Sequence, residues 1–168
     1  QFDLSSLHHC ATAGEPLNPE VVRKWRALTG HQIYEGFGQS EGPVLMANFG
    51  SEWFEPLEGS CGKPNPLFDI QLLDNDDNVC EDGEEGSLTI MDVKHHPPVG
   101  LFTGYYRNPE MTEEKLGGIG YNTGDVLWRD SDGYYPIVDR TKALAIVGGY
   151  NVFPRGIDEA LHAHPNLK

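Results

Sequence analysis

The stretch "SLHHCATAGEPLNPEVVRKWRALTGHQIYEGFGQSEG", Ser6 to Gly42, decides the reading of the fold. "SLHHCATAG" is a short extended run leaving into a glycine turn. "NPEVVRKWRALTG" then carries the marks of a helix: Asn18 at the N-cap, Pro19 at the first helical position, Glu20 in the first turn and Gly30 as terminator. Val21, Val22, Trp25 and Leu28 recur at helical spacing and predict its apolar face. "HQIYEG" reads as a second strand. Strand, helix, strand is the βαβ pattern of a parallel sheet, in which ligands sit beyond the C-terminal ends of the strands. The turn at Gly14-Glu15-Pro16 and the stretch "YEGFGQSEG", Tyr34 to Gly42, both fall at such ends, and the second, rich in glycine, is expected to be a flexible loop.

Outward from this stretch the texture changes. From about residue 57 come short alternating segments, "FDIQLLD", "GSLTIMDV", "VGLFTGYY", "VLWRD" and "YYPIVD", which predict antiparallel strands or a small barrel. "NPEMTEEKL" is a short capped helix among them, and "SDGYY" is a hairpin turn. After Asp139, "ALAIVGGYNVFP" gives one more short strand and a Gly-Gly loop, followed by a helix in "RGIDEALHAH". The fold class is therefore α/β: the end of a parallel-sheet subdomain over 1–57, a small β-barrel subdomain over 58–139, and over 140–168 a hinge and the start of an α+β C-terminal domain.

A chain of 168 residues with 38% apolar content can form a core. The formal net charge of −14 repels phosphate backbones and anionic headgroups, so nucleic acid and membrane are poor partners. Cys10, Cys61 and Cys80 are odd in number and show no C-x-x-C spacing, which fits a reducing compartment. No apolar run reaches the roughly 18 residues of a membrane span. A soluble protein of the cytoplasm or the mitochondrial matrix is expected. Because the chain begins at Gln1 rather than Met, it is expected to be a piece of a longer polypeptide.

Two metal patterns fail on inspection. "DNDDNVCEDGEE" spaces Asp74, Asp76, Asn78 and Glu85 like a calcium loop, but Val79 stands where the sharp turn needs glycine. It reads as a solvated hairpin loop. His8-His9 and His95-His96 are adjacent pairs that a strand points to opposite faces, and His162 and His164 are about 200° apart on a helix.

"YNTGD", Tyr121 to Asp125, is by itself a turn before a strand, and Arg140 in "IVDRTK" a strand-end cation. Their order carries more. A Gly-Glu-Pro turn, "YEGFGQSE", "YNTGD", "DGYYPIVDRTK" and "GGYNVFP" form a five-part series. The series resembles the AMP-forming adenylating enzymes: acyl-CoA synthetases, firefly luciferase and the adenylation domains of peptide synthetases. The run from Ser6 to Glu41 is most similar to the medium-chain acyl-CoA synthetases.

The resemblance implies ATP and AMP, magnesium and coenzyme A as cofactors, and a small carboxylic acid as substrate. It places Gly14, Glu15 and Pro16 against adenine. In the next segment, with Tyr34, Gly36, Gly38 and Gln39 around them, Phe37 would stack on adenine, Ser40 would reach the α-phosphate and Glu41 would hold magnesium. Magnesium prefers hard carboxylate and phosphate oxygens, which suits Glu41. Asp125 and Arg140 match ribose-binding positions, and Ile137 goes with that edge. Lys142 falls at the hinge of the small C-terminal domain, and Gly148-Gly149 in the segment that lines the pantetheine tunnel.

There are departures from the pattern. Ser40 stands for the usual threonine, Asp139 for a common glycine, and Ala143 for a frequent acid. Asn151 stands where medium-chain members carry arginine, and Arg155-Gly156 where an acid is common. The loop that grips the β- and γ-phosphates and the C-terminal lysine that orients the reacting groups in the family are not among the 168 residues. The chain alone is expected to adenylate poorly or not at all. The implied parent is an AMP-forming carboxylate–CoA ligase; the alternatives are a truncated non-catalytic homologue that binds nucleotide or a partner, and an adenylation domain serving a carrier protein.

Overall fold

The computed structural model describes residues 3–14, 17–48, 55–136, 145–147, 150–152 and 161. The first unit is the expected one: β1 (Cys10–Ala13), α1 (Pro19–Thr29) and β2 (Ile33–Gln39), with the strands parallel and Cys10 opposite Ile33. The helix ends follow from the sequence. Asn18 Oδ1 accepts the Glu20 N–H at 2.8 Å, and Gly30, at φ +75°, gives its N–H to the Arg26 carbonyl at 2.9 Å. Both satisfy backbone groups that a helix end leaves without partners.

The buried arc of α1 differs from the predicted one. Val22 is buried and Trp25 and Thr29 are half-buried, whereas Val21 is exposed and Leu28 is 85% exposed. Residues 22, 25 and 29 share one face, turned roughly 80° from the line of 21 and 28. Apolar spacing located a stripe but not which edge of it meets the strands.

"YEGFGQSEG" is not a loop. It is β2 itself, followed by a tight turn at Ser40-Glu41 and by β3 (Gly42–Ala47), which runs antiparallel with Gln39 opposite Gly42. Glycine in a strand marks close backbone approach as readily as glycine in a loop marks freedom. At Gly38 a Cβ would lie 2.3 Å from the Pro43 carbonyl oxygen across the hairpin. β4 (Lys63–Pro64) completes a sheet ordered β1-β2-β3-β4, parallel only at its first pair. Asn48, buried after β3, draws residues 57–60 onto this sheet: its side chain donates to the Leu57 and Ser60 carbonyls and accepts the Leu57 N–H.

The second sheet, β5 (Ile70–Leu73), β6 (Glu85–Met91) and β7 (Gly120–Trp128), is antiparallel as expected. It is an open three-stranded sheet, and no closed barrel forms among the described residues. "VGLFTGYY" supplies no strand because its backbone donors are satisfied elsewhere: Leu101 by Pro98, Phe102 by the Glu41 carbonyl, Tyr105 by the Thr112 hydroxyl. The Asp74 loop is a turn that consumes its own acid. Asp74 Oδ1 accepts the Asp76 and Asn78 N–H groups at 2.8 Å, and the Asn78 bonds hold that carboxyl below the usual range. "SDGYY" closes as a turn on Asp130, which accepts the Gly133 N–H through its carbonyl and the Tyr134 N–H through its side chain. α2 (Pro109–Leu116), capped by Asn108, lies against β7. β8 (Ala145–Val147) pairs antiparallel with β9 (Tyr150–Val152). Of the helix expected over 155–164 only Leu161 is described.

One apolar cluster links the sheets, from Leu45 and Met46 on β3 to Ile70, Leu88 and Ile90 and to Leu127 on β7. It fixes the β2–β3 turn relative to β7, and that relation creates the site.

Candidate nucleotide site

Two local irregularities aim residues at the same space. On β7, Asn122 pairs with Thr89 and Val126 with Ser87, so Thr123, Gly124 and Asp125 face Leu88 alone. This is a bulge, and Gly124 at φ +81° supplies the left-handed residue it needs. "YNTGD" is thus a kink within a strand, not a turn before one. On the first sheet, the register shift between Phe37 and Gln39 swings the hairpin end, with Ser40 and Glu41, toward that bulge.

Between them lies a cleft of about 700 Å³. It brings together Gly14 beyond β1, Gly38, Gln39, Ser40 and Glu41 at the end of β2, and Asp125. Gly14 and residues 38–41 lie at the C-terminal ends of the parallel pair β1 and β2, the expected position for a ligand, and Asp125 faces them from the second sheet. Asp125 is only 6% exposed. Gln39 Nε2 donates to Asp125 Oδ2 at 2.8 Å and to the Thr123 carbonyl at 3.1 Å. Glu41 is held twice: its carbonyl accepts the Phe102 N–H at 2.7 Å and its Oε1 accepts the Tyr105 hydroxyl at 2.8 Å.

Other expected residues are placed elsewhere. Phe37 is partly buried and packs against the apolar cluster, and the register shift between it and Gln39 separates it from the residues that line the cleft. Tyr34 stacks on His9 with ring centroids 4.6 Å apart, and Gly36 pairs with Ala13 across β1 and Ala47 across β3. Glu15, Pro16, Ile137, Arg140, Lys142, Gly148 and Gly149 lie outside the described residues.

The sequence reading missed three side chains. Tyr105, from the segment expected to be a strand, and Tyr121, inside "YNTGD" itself, both point hydroxyls at the site; Lys115, in the last turn of α2, lines its wall. Burial, reinforced by the Glu41 carboxylate, pushes both phenols above their ordinary range, so they stay protonated donors. Lys115 is the only cation among the described cleft-lining residues and has no hydrogen bond or ion pair among them. Against Glu41 and Asp125, in a chain of net charge −14, it is the local group that favours an anionic ligand.

A hairpin end with a hydroxyl and a carboxylate thus faces a buried aspartate of the second sheet across one cleft, with a lysine on its wall: a candidate site for a polar, anionic ligand. Residues 1–106 match the family model described as AMP-binding enzyme, and the chain belongs to that family. It is 42% identical over 166 residues to the mitochondrial acyl-coenzyme A synthetase ACSM3 of Homo sapiens, covering 99% of this chain and 28% of that protein. It is 39% identical over 165 residues to the human mitochondrial synthetase ACSM4, covering 98% of this chain and 28% of that one. Among solved structures, the anthranilate CoA ligase AuaEII in complex with anthranoyl-AMP superposes with a TM-score of 0.79 at 29% identity, over 97% of this chain and 30% of that one. The chain thus spans under a third of the length of the synthetases it matches.

Proposed function

We propose that the polypeptide containing this chain is an AMP-forming carboxylate–CoA ligase, which activates a carboxylic acid with ATP to an acyl-adenylate and passes the acyl group to the CoA thiol. The observation that carries this is the placement of Ser40 and Glu41 across one cleft from Asp125. Asp125 would accept the ribose hydroxyls, Ser40 would donate to the α-phosphate, and Gly14 would let the base approach the backbone. The likeness to acyl-coenzyme A synthetases and to a ligase solved with an acyl-adenylate supports this reading. The mitochondrial location of the former supports the matrix as its compartment. Among the described residues no helix is long and apolar enough to cross a membrane.

Magnesium fits the donors present. No group of three or more acidic, histidine or cysteine side chains gathers among the described residues, so an ion here would take one hard carboxylate, Glu41, and complete its shell with phosphate oxygens and water. When bound, it supplies charge neutralisation at the phosphate under attack. Phe37, partly buried against the apolar cluster, would stack on adenine on family likeness alone. Arg140 and Ile137 at the ribose edge, Glu15 and Pro16 beside adenine, Lys142 at the hinge and Gly148-Gly149 at the thiol tunnel are retained on family likeness.

Two variants of the full-length polypeptide test the assignment. Asp125→Ala weakens ATP binding by about 1–3 kcal/mol through lost charge-assisted hydrogen bonds; calorimetry showing unchanged affinity contradicts the ribose role. Lys115→Met weakens AMP about threefold to tenfold while leaving adenosine unaffected, since the lost contact is to phosphate. Equal effects on AMP and adenosine would show that Lys115 does not face the phosphate.

A further inference from the structure

Tyr121 is 2% exposed, yet its hydroxyl is directed away from the apolar cluster and donates to Gln39 Oε1 at 2.7 Å. Its ring is fixed by an edge-on contact with Phe102, centroids 5.3 Å apart. Chemistry dictates which way the Gln39 amide points. The Asp125 carboxylate can only accept, so it must meet the amide NH2, and the carbonyl must then face the phenol. The NH2 divides between Asp125 Oδ2 and the Thr123 carbonyl, so both of its hydrogens are used. From the other side the Thr123 hydroxyl accepts the Asp125 N–H at 3.2 Å, anchoring the backbone of the bulge.

We propose that Tyr121, acting through Gln39, is a positioning residue that fixes the rotation of the Asp125 carboxylate so that it meets a ribose diol in one orientation. This rests on the reading that Asp125 binds the ribose. A diol needs its acceptor oxygens set in a particular plane, and a carboxylate whose Oδ2 accepts from a fully satisfied amide offers that plane without reorganisation. The device spans both sheets: the phenol and the acid come from β7, the amide from the end of β2.

The test is the preference of the full-length polypeptide for ATP over 2′,3′-dideoxy-ATP, measured as a ratio of dissociation constants. Removing one phenolic oxygen in Tyr121→Phe keeps the ring and its packing; Gln39→Met keeps length and removes the amide. The unsubstituted protein should prefer ATP on the order of tenfold or more, and each variant should narrow that preference to about threefold or less through weaker ATP binding, with the dideoxy affinity within about twofold. A purely structural role would weaken both nucleotides alike and leave the ratio intact, which overturns the proposal. An unsubstituted protein with no preference overturns the ribose reading, and the proposal with it. A preference that survives in both variants overturns the proposal alone.

Discussion

Replacing Glu41 by glutamine in the full-length polypeptide should lower the rate of acyl-adenylate formation by on the order of 10²–10³. The amide keeps the shape of the carboxylate and an oxygen to accept the Tyr105 hydroxyl now bonded at 2.8 Å, so the hairpin end should not move. What disappears is the negative charge that would hold magnesium against the phosphate. A second consequence has the opposite sign. Taking one anion out of a cleft that also holds Asp125 relieves repulsion of the nucleotide by an amount on the order of 1–3 kcal/mol at an effective dielectric near 20. That gain applies to ground state and transition state alike, so it tightens nucleotide binding without restoring the chemical step. The expected pattern is therefore AMP affinity unchanged or improved without metal, together with a collapsed adenylation rate with magnesium present. Single-turnover adenylate formation over a magnesium series reads both. A rate within a few-fold of the unsubstituted protein contradicts the metal role of Glu41.

Gly38→Ala should cost about 2–3 kcal/mol of folding free energy and weaken nucleotide binding together. The new Cβ would lie 2.3 Å from the Pro43 carbonyl oxygen, 2.6 Å from its carbon and 2.7 Å from the Gly42 carbonyl oxygen. All three are backbone atoms of the facing strand, so no side chain can rotate away and β2 and β3 must separate. The residues displaced are the next ones along, which carry the Gln39–Asp125 and Glu41–Tyr105 hydrogen bonds. Urea unfolding and AMP titration of the same sample should move together. An unfolding midpoint equal to that of the unsubstituted protein would show that the hairpin opens without cost.

The parts of this arrangement legible in the sequence are those set by local chemistry. Asn18, Pro19 and Gly30 bounded α1 correctly because capping and termination act within a few residues. Asn108 did the same for α2, and the turn at Asp130 follows from its own side chain. What failed depended on how segments pair. "YEGFGQSEG" read as a loop because three glycines suggest freedom, whereas Gly38, opposite Gly42 and Pro43, permits close backbone approach. The bulge at 123–125 is a mismatch of count between β6 and β7 and leaves no mark in "YNTGD" beyond its glycine. "VGLFTGYY" alternates like a strand, but hydrogen bonds to Glu41 and Thr112 hold it as a loop, and that is how Tyr105 reaches the site. Asp125, Ser40 and Glu41, which line one cleft, were singled out through the order of motifs. Tyr121, Tyr105 and Lys115 were not, since an aromatic or a helix-end lysine shows its direction only once the sheets are assembled.

The proposed parent of this cleft joins a carboxylate to AMP. The most direct measurement is exchange of labelled pyrophosphate into ATP by the full-length polypeptide, with and without each of a panel of carboxylic acids. Exchange should require both magnesium and at least one acid, and should fall on the order of a hundredfold in Glu41→Gln. No acid-dependent exchange with any member of the panel, by a protein that binds ATP, would contradict it.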